Sequence, residues 1–160
     1  MRRECSRNPR IGGLAPGLRA FYNRGMNCPA CKNPLMVLEY DSVEVDHCVA
    51  CGGVWLDAAE VDLLFGDADA SAAFLHALDP GQVEKDRRLR CPTSGKPMRK
   101  GRIGGAHPVT YDYSPHGLWF DRGELAAVLQ AEELEPGTER VVAWLREVFP
   151  HASAEGGAHA

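Results

Sequence analysis

The sequence predicts a small α+β fold in which a β-hairpin followed by a helix occurs twice, with one more helix near the C-terminus. Three observations support this prediction. Two cysteine pairs, Cys28/Cys31 and Cys48/Cys51, enclose sixteen residues that fit a short hairpin. A later segment repeats the pattern of the first. The stretch after residue 138 then places apolar side chains at helical spacing.

The apolar pattern and the turn residues place the elements along the chain. In the first unit, strands are expected near 35–40, 43–47 and 54–56, and helices over 58–65 and 70–78. In the second unit, strands are expected near 98–102, 109–113 and 118–120, and a helix from 122 to about 133. The last helix opens near 136–138, and its apolar side consists of Val141, Val142, Leu145, Val148 and Phe149.

These elements divide the chain into six segments. Residues 1–25 are expected to be disordered or to come from an over-long gene start, because Met26 stands just before the first cysteine pair. The other segments are the hairpin with its helix (26–66), a helical linker (67–90), a degenerate repeat (91–131), the C-terminal helix (132–149) and a disordered tail (150–160).

Composition indicates a soluble globular protein. The chain has 160 residues, of which 44% are hydrophobic and 25% charged. No stretch approaches the ~18 apolar residues of a membrane helix, and the N-terminus lacks the apolar core of a secretory signal. We therefore expect a cytoplasmic protein without a membrane partner, in a reducing setting where paired cysteines bind metal rather than form disulfides.

The net charge of -4 is an average over blocks of opposite sign. Residues 1–25 carry six arginines and one glutamate, whereas residues 26–83 carry Lys32 against ten acids. Residues 84–124 are again basic, with nine bases and five acids. Any partner will therefore meet a polarised surface.

The four cysteines of the first unit predict a metal centre. Two Cys-x-x-Cys turns can offer Cys28, Cys31, Cys48 and Cys51 to one tetrahedral ion, for which Zn²⁺ is the favoured metal. Such a site is closed, so one structural zinc would support folding and could not act as a Lewis acid. Iron in a rubredoxin-like electron carrier is the competing interpretation, because ligand type alone does not separate the two metals.

The second unit keeps the pattern of the first but not its ligands. The segment 28–36 matches 91–98, and 53–61 matches 117–125, yet Ser94 and Ser114 stand where Cys31 and Cys48 would be. Cys91 and His116 remain as a candidate second, weaker metal site, to which His107 could be recruited. We expect instead a metal-free unit held by packing of Tyr111, Trp119 and Phe120.

Each unit ends its last strand with an acidic pair that predicts a helix cap. In Asp57/Glu60 and Asp121/Glu124, the aspartate can accept free N–H groups of the following helix while the glutamate reaches back. We therefore assign these acids to caps and not to acid/base catalysis.

The segment from Cys28-Pro29-Ala30-Cys31 to the run Asp46-His47-Cys48-Val49-Ala50-Cys51-Gly52-Gly53-Val54-Trp55-Leu56-Asp57 resembles the bacterial transcription factor IIB-type zinc-ribbon (zinc-finger) family. The resemblance covers residues 26–65, and 91–129 as a degraded second copy. It implies a zinc ribbon with the four cysteines as ligands. It does not by itself establish a role in transcription.

The sequence supports three classes of function to different degrees. A protein-interaction module suits a closed zinc site best. A nucleic-acid or transcription-associated regulator is the alternative, although the acidic first unit should repel phosphates. Its contacts would come from Lys85, Arg87, Arg88, Arg90, Lys96, Arg99, Lys100 and Arg102. An enzyme is not expected, because the sequence shows no nucleophile with a neighbouring base and no phosphate-binding loop.

Overall fold

The computed structural model of the protein describes residues 16–65, 88–103, 108–131 and 139–149. These residues form seven strands and three helices. The first unit contains β1 (Arg19–Asn27), β2 (Pro34–Tyr40), β3 (Val43–His47), β4 (Val54–Asp57) and α1 (Ala58–Phe65). The second contains β5 (Arg99–Ile103), β6 (Val109–Ser114), β7 (Gly117–Phe120) and α2 (Glu124–Ala131), and α3 (Glu139–Val148) follows.

All seven strands belong to one antiparallel sheet with the order β1-β2-β3-β4-β7-β6-β5. Each unit pairs its own strands in sequence order, as hairpins do. The two units join where β4 pairs with β7, with Trp55 opposite Trp119. The sheet is therefore continuous from one unit to the other.

The two faces of the sheet bury different sets of side chains. One face packs against the helices, and its buried core includes Leu38, Leu56, Phe120, Leu129 and Leu145. The opposite face carries a second cluster, made of Cys28, Leu35, Cys48, Trp55, Cys91, Met98 and Trp119. Because neighbouring residues of a strand point to opposite faces, β4 and β7 supply both clusters.

The N-terminal part of the fold differs from the prediction of disorder at residues 19–25, whereas residues 1–15 lie outside the described residues. Residues 19–27 form β1, which pairs with β2 from Arg19 opposite Glu39 to Asn27 opposite Pro34. Leu18 and Ala20 pack against the helix-side core. Backbone pairing with the neighbouring strand places this segment in the sheet.

The β2–β3 hairpin and helix α1 form where the turn residues and the capping pattern predicted them. The chain reverses between β2 and β3 at Asp41 and Ser42, whose φ angles are 51° and 66°. Helix α1 begins after Asp57, whose carboxylate accepts N–H groups of Ala59 and Glu60 at 2.8 and 3.2 Å. Glu60 accepts the N–H of Asp57 at 2.9 Å, which completes the predicted capping box.

The corresponding cap of the second unit differs from the prediction. Glu124 accepts the N–H of Asp121 at 2.9 Å, as expected, but a carboxylate oxygen of Asp121 accepts Nε1–H of Trp119 at 3.0 Å. Helix α2 accordingly begins at Glu124 and not at residue 122.

The three aromatic residues expected to hold the second unit together lie on two faces of the sheet. Tyr111 and Phe120 pack on the helix side with ring centroids 5.7 Å apart, whereas Trp119 lies on the opposite face.

Several predictions lie outside the described residues. These are the helix over 70–78, most of the linker and the C-terminal tail, together with Lys85, Arg87 and His107. None of the helices that the structure describes has the length and apolar character needed to cross a membrane.

Candidate metal centre

The two Cys-x-x-Cys segments fold into matching turns. In the first turn, Cys28 donates its N–H to the Asn33 carbonyl at 2.8 Å and accepts from the N–H of Lys32 at 3.0 Å. In the second, Cys48 donates to Gly53 at 2.9 Å and accepts from Gly52 at 2.7 Å. Lys32 and Gly52 occupy the same position of their turns, and both have positive φ angles, of 66° and 78°.

These turns bring all four sulfurs together. The ligand atoms of Cys28, Cys31, Cys48 and Cys51 lie within 4.8 Å of one another. The Cys28 and Cys51 sulfurs are 3.6 Å apart, and those of Cys31 and Cys48 are 3.4 Å apart. A tetrahedral Zn²⁺ with Zn–S bonds of about 2.3 Å requires sulfurs about 3.8 Å apart. The donor set and its spacing therefore fit one zinc ion bound by four thiolates.

N–H groups of the first turn are directed at the sulfurs. The backbone N–H of Cys31 lies 3.3 Å from the Cys28 sulfur, and the side-chain amide of Asn33 donates to the Cys31 sulfur at 3.2 Å. Asn33 was not predicted as part of the centre, although its place two residues after the ligand Cys31 is a usable signal. Such donors stabilise thiolate charge and orient the ligand.

Burial raises the pKa values of the thiols, whereas these hydrogen bonds lower them. Burial raises the pKa of Cys28 and of Cys51 above the ordinary value. The Asn33 side chain, together with its backbone N–H, lowers the pKa of Cys31 to about 6. Zinc binding must therefore displace protons, most of all from the buried thiols.

Two of the four cysteines are buried on the face of the sheet opposite the helices. Cys28 and Cys48 belong to the same buried cluster as Trp55 and Trp119, and each of these four residues has zero relative exposure. Gly53 lies beneath the ring of Trp119, because a Cβ built there would overlap the indole. The second unit thus covers the second cysteine turn.

Two more side chains lie beside that turn. His47 approaches the Gly53 carbonyl with Nδ1 at 3.2 Å, and its burial lowers the pKa of the imidazole. The side chain of Arg122, from the second unit, lies across Gly52. Sequence analysis named neither residue as part of the centre.

The second unit contains a third turn of the same construction. Cys91 donates its N–H to the Lys96 carbonyl at 2.9 Å and accepts from the N–H of Gly95 at 2.8 Å. Its sulfur accepts from the Ser94 N–H at 3.4 Å and from the Ser114 hydroxyl at 3.3 Å. Burial opposes ionisation, but these hydrogen bonds lower the pKa of Cys91.

The two residues of the candidate weaker site lie in different environments. Cys91 is 1% exposed, whereas His116 is an exposed residue of the β6–β7 turn. Both backbone polar groups of His116 are hydrogen-bonded: its N–H donates to Ser114 Oγ, and its carbonyl accepts from the N–H of Ala58. Within the described ranges, the four cysteines form the one group of three or more clustered metal-ligating side chains.

The basic residues proposed for nucleic acid lie in the second unit, on β5 and around the third turn. The six that the structure describes are all exposed, and they are Arg88, Arg90, Lys96, Arg99, Lys100 and Arg102. The last three belong to β5, which forms an edge of the sheet. Lys100 lies 3.9 Å from a carboxylate oxygen of Asp112, and Arg90 donates to the Gly95 carbonyl at 3.0 Å.

Comparison with known families agrees with this geometry. Residues 27–65, which are less than half of the chain, match the family described as transcription factor zinc-finger. A search of curated proteins and a search of solved structures each found no significant match. The matched segment contains both cysteine turns and ends with α1. Residues 27–65 are therefore a zinc ribbon of the transcription factor zinc-finger type, and its four cysteines form the site of one structural zinc ion.

Proposed function

We propose that the protein is a non-catalytic protein-interaction module, in which the second unit is a decayed copy of the zinc ribbon without a complete metal site. The observation that carries the proposal is the closed donor set of the metal centre. Four cysteine sulfurs surround one position at zinc distances, so no coordination position is left for water or substrate. The zinc then stabilises a surface and does not perform chemistry.

Two relationships between the units support their common origin. The third turn has the same pair of backbone hydrogen bonds as the two cysteine turns, at equivalent positions of the internal sequence match. In addition, Trp55 and Trp119 are equivalent in that match and lie opposite each other in the β4–β7 pair. An interface in which equivalent residues meet is what two copies related by a twofold axis make.

A protein partner is favoured over nucleic acid by the distribution of charge. The zinc ribbon is acidic, and a centre of four thiolates with Zn²⁺ adds about two negative charges to it. Phosphate neutralisation by lysine and arginine supplies most of the affinity of nucleic-acid-binding proteins. The exposed basic residues of β5 favour nucleic acid as the second candidate, because Arg99 and Arg102 have no salt bridge within the described ranges.

Titration with DNA and RNA at several salt concentrations separates the two candidates. Binding that falls steeply with salt, and that is lost in the triple variant Arg99→Glu, Lys100→Glu, Arg102→Glu, would replace the proposal with the nucleic-acid function. We expect no such binding.

The protein partner is then sought by crosslinking in host cells, with wild type and the zinc-site variant Cys48→Ser compared. A module that zinc keeps folded should crosslink to a defined protein only in its wild-type form. The same complex should form from the two purified proteins and be lost after zinc is removed. A complex that forms equally well without zinc would contradict the proposed role of the ribbon.

A further inference from the structure

The side chain of Arg122 lies against the second cysteine turn. A Cβ built on Gly52 would overlap Nε of Arg122 and come within 3.2 Å of its Cγ and Cζ. Gly52 precedes Gly53 and follows Cys51, and its own N–H donates to the Cys48 carbonyl at 2.7 Å. The guanidinium therefore lies over the backbone that directly follows Cys51 and that is hydrogen-bonded to Cys48.

The contact between Arg122 and Gly52 places a positive charge beside a negatively charged centre. Zn²⁺ bound by four thiolates carries a net charge of about −2. The zinc-ribbon segment itself has Lys32 as its one lysine or arginine, and the Lys32 amine is directed to the Pro29 carbonyl at 2.8 Å in the first turn. Arg122 is the cation that the fold places at the second turn, and it comes from the other unit.

The equivalent position in the first unit provides an internal comparison. Arg122 follows Asp121 as Ala58 follows Asp57 in the sequence match. Ala58 lies against the corresponding turn of the second unit, where its N–H donates to the His116 carbonyl at 3.1 Å. That turn contains Ser114, Pro115 and His116 and has no cysteine. Thus an arginine lies at the turn with thiolates, and an alanine lies at the turn without them.

We propose that Arg122 is an electrostatic part of the zinc centre, through which the second unit stabilises the metal-bound form of the first. The guanidinium offsets the net negative charge that the centre acquires when zinc binds and displaces the thiol protons. Its presence consequently favours the loaded state over the empty one. The inference requires only that zinc binds, and it is independent of the partner that the module recognises.

The test measures zinc affinity of the full chain by competition with a chromophoric chelator at low and high salt. Arg122→Met removes the charge but keeps an unbranched side chain over Gly52, and Arg122→Lys keeps the charge. The control is Arg102→Met, which removes an exposed arginine from the far edge of the sheet. Loss of a group that supports metal ligands typically weakens metal binding by about 10–100-fold.

We expect Arg122→Met to bind zinc about tenfold more weakly than wild type at low salt, with a smaller deficit at high salt because ions screen the interaction. Arg122→Lys should retain most of the affinity, and the control should match wild type. Each variant loaded with Co²⁺ should still show the absorption spectrum of a tetrahedral tetrathiolate site, which verifies that the site is folded. Wild-type affinity in Arg122→Met, or a loss that is insensitive to salt and shared by Arg122→Lys, would overturn the proposal.

Discussion

Trp55 and Trp119 lie directly opposite each other where β4 pairs with β7, and each indole packs on a glycine of the other unit. Trp119 covers Gly53, which follows the second cysteine turn, and Trp55 lies 2.9 Å from a Cβ built on Gly117. The two indoles therefore pack reciprocally across the β4–β7 pair. The absence of a side chain at Gly53 is therefore as necessary to the interface as the presence of either indole.

Substitution of Gly53 by alanine tests this relationship. The new Cβ would overlap the ring of Trp119, which has zero relative exposure. We expect Gly53→Ala to lower the free energy of unfolding of the zinc-loaded protein by about 2–3 kcal/mol, as forced overpacking does. Urea unfolding followed by tryptophan fluorescence measures the change.

Gly25→Ala is the matched control. A Cβ at Gly25 meets nothing within 4 Å, so the same chemical change should alter stability by less than about 0.5 kcal/mol. Adding Trp119→Phe to Gly53→Ala should recover part of the loss, because the smaller ring leaves room for the methyl group. Equal effects of the two alanine substitutions would show that Trp119 does not restrain Gly53.

The zinc content of cysteine variants should show which cysteines bind the metal and that Cys91 of the second unit does not. Cys48→Ser removes one of four clustered sulfurs, whereas Cys91→Ser replaces a sulfur whose hydrogen bonds come from Ser94 and Ser114. Elemental analysis should find about one zinc per chain in wild type and in Cys91→Ser, and well under one in Cys48→Ser.

Chelation of zinc from wild type should also change the tryptophan fluorescence, because Trp55 and Trp119 share the buried cluster with Cys28 and Cys48. Iron in place of zinc, or a loss of metal in Cys91→Ser comparable to that in Cys48→Ser, would contradict the assignment of the centre.

The parts of the fold that the sequence predicted are those determined by neighbouring residues. The hairpin of β2 and β3, the helix after Asp57 and the four zinc ligands all follow from short-range patterns: alternation, a capping box and the spacing of two Cys-x-x-Cys turns. Each of these signals acts within a few residues of the element that it specifies.

The parts that the sequence did not predict depend on contacts between distant segments. β1 is held by pairing with β2, and nothing in the local composition of 19–25 indicated a strand. Arg122 reaches Gly52 only because β4 and β7 are neighbours in the sheet. The Asp121 carboxylate accepts from the Trp119 indole and not from the helix that it was expected to cap. A capping pattern cannot reveal such a competing partner.

The β2–β3 turn offers a stabilising substitution. Asp41 and Ser42 both have positive φ, as a type I′ turn requires, but serine has a Cβ that disfavours this conformation. Ser42→Gly should therefore raise the free energy of unfolding by about 0.5–1 kcal/mol. Ala59→Gly, in the exposed first turn of α1, should have the opposite effect of about the same size. Thermal unfolding of the two variants should move in opposite directions, and a destabilised Ser42→Gly would contradict the turn geometry.

Asp112 is a buried carboxylate next to Trp119 in the β6–β7 pair, and it is 3% exposed. Among the residues that the structure describes, one of its oxygens has no hydrogen-bond partner, and the other lies 3.9 Å from Nζ of Lys100. Burial raises the pKa of Asp112 to about 6, with Lys100 opposing the change and Asp121 adding to it. The carboxylate is thus more basic in the folded chain than in the unfolded chain, where its pKa is about 3.9.

The sign of the resulting pH dependence follows from linkage. Between pH about 4 and 6 the folded state binds more protons than the unfolded state at this residue, so its contribution to stability is lost as pH rises through about 6. Asp112→Asn removes that loss and should raise the free energy of unfolding by about 1–2 kcal/mol near pH 7.5, since one unit of pKa corresponds to about 1.4 kcal/mol. The advantage should shrink as pH falls toward about 5.

The free energy of unfolding of wild type and of Asp112→Asn should be measured across this pH range, with both proteins saturated with zinc. Protons compete with zinc at the cysteines equally in the two proteins, so the difference between them reports on Asp112. Glu44→Gln, which changes an exposed carboxylate, should follow the wild-type curve within about 0.5 kcal/mol. An Asp112→Asn protein that is less stable than wild type at neutral pH would mean that the ion pair with Lys100 outweighs the burial of the charge. A constant difference at every pH would instead mean that the carboxylate does not titrate in this range.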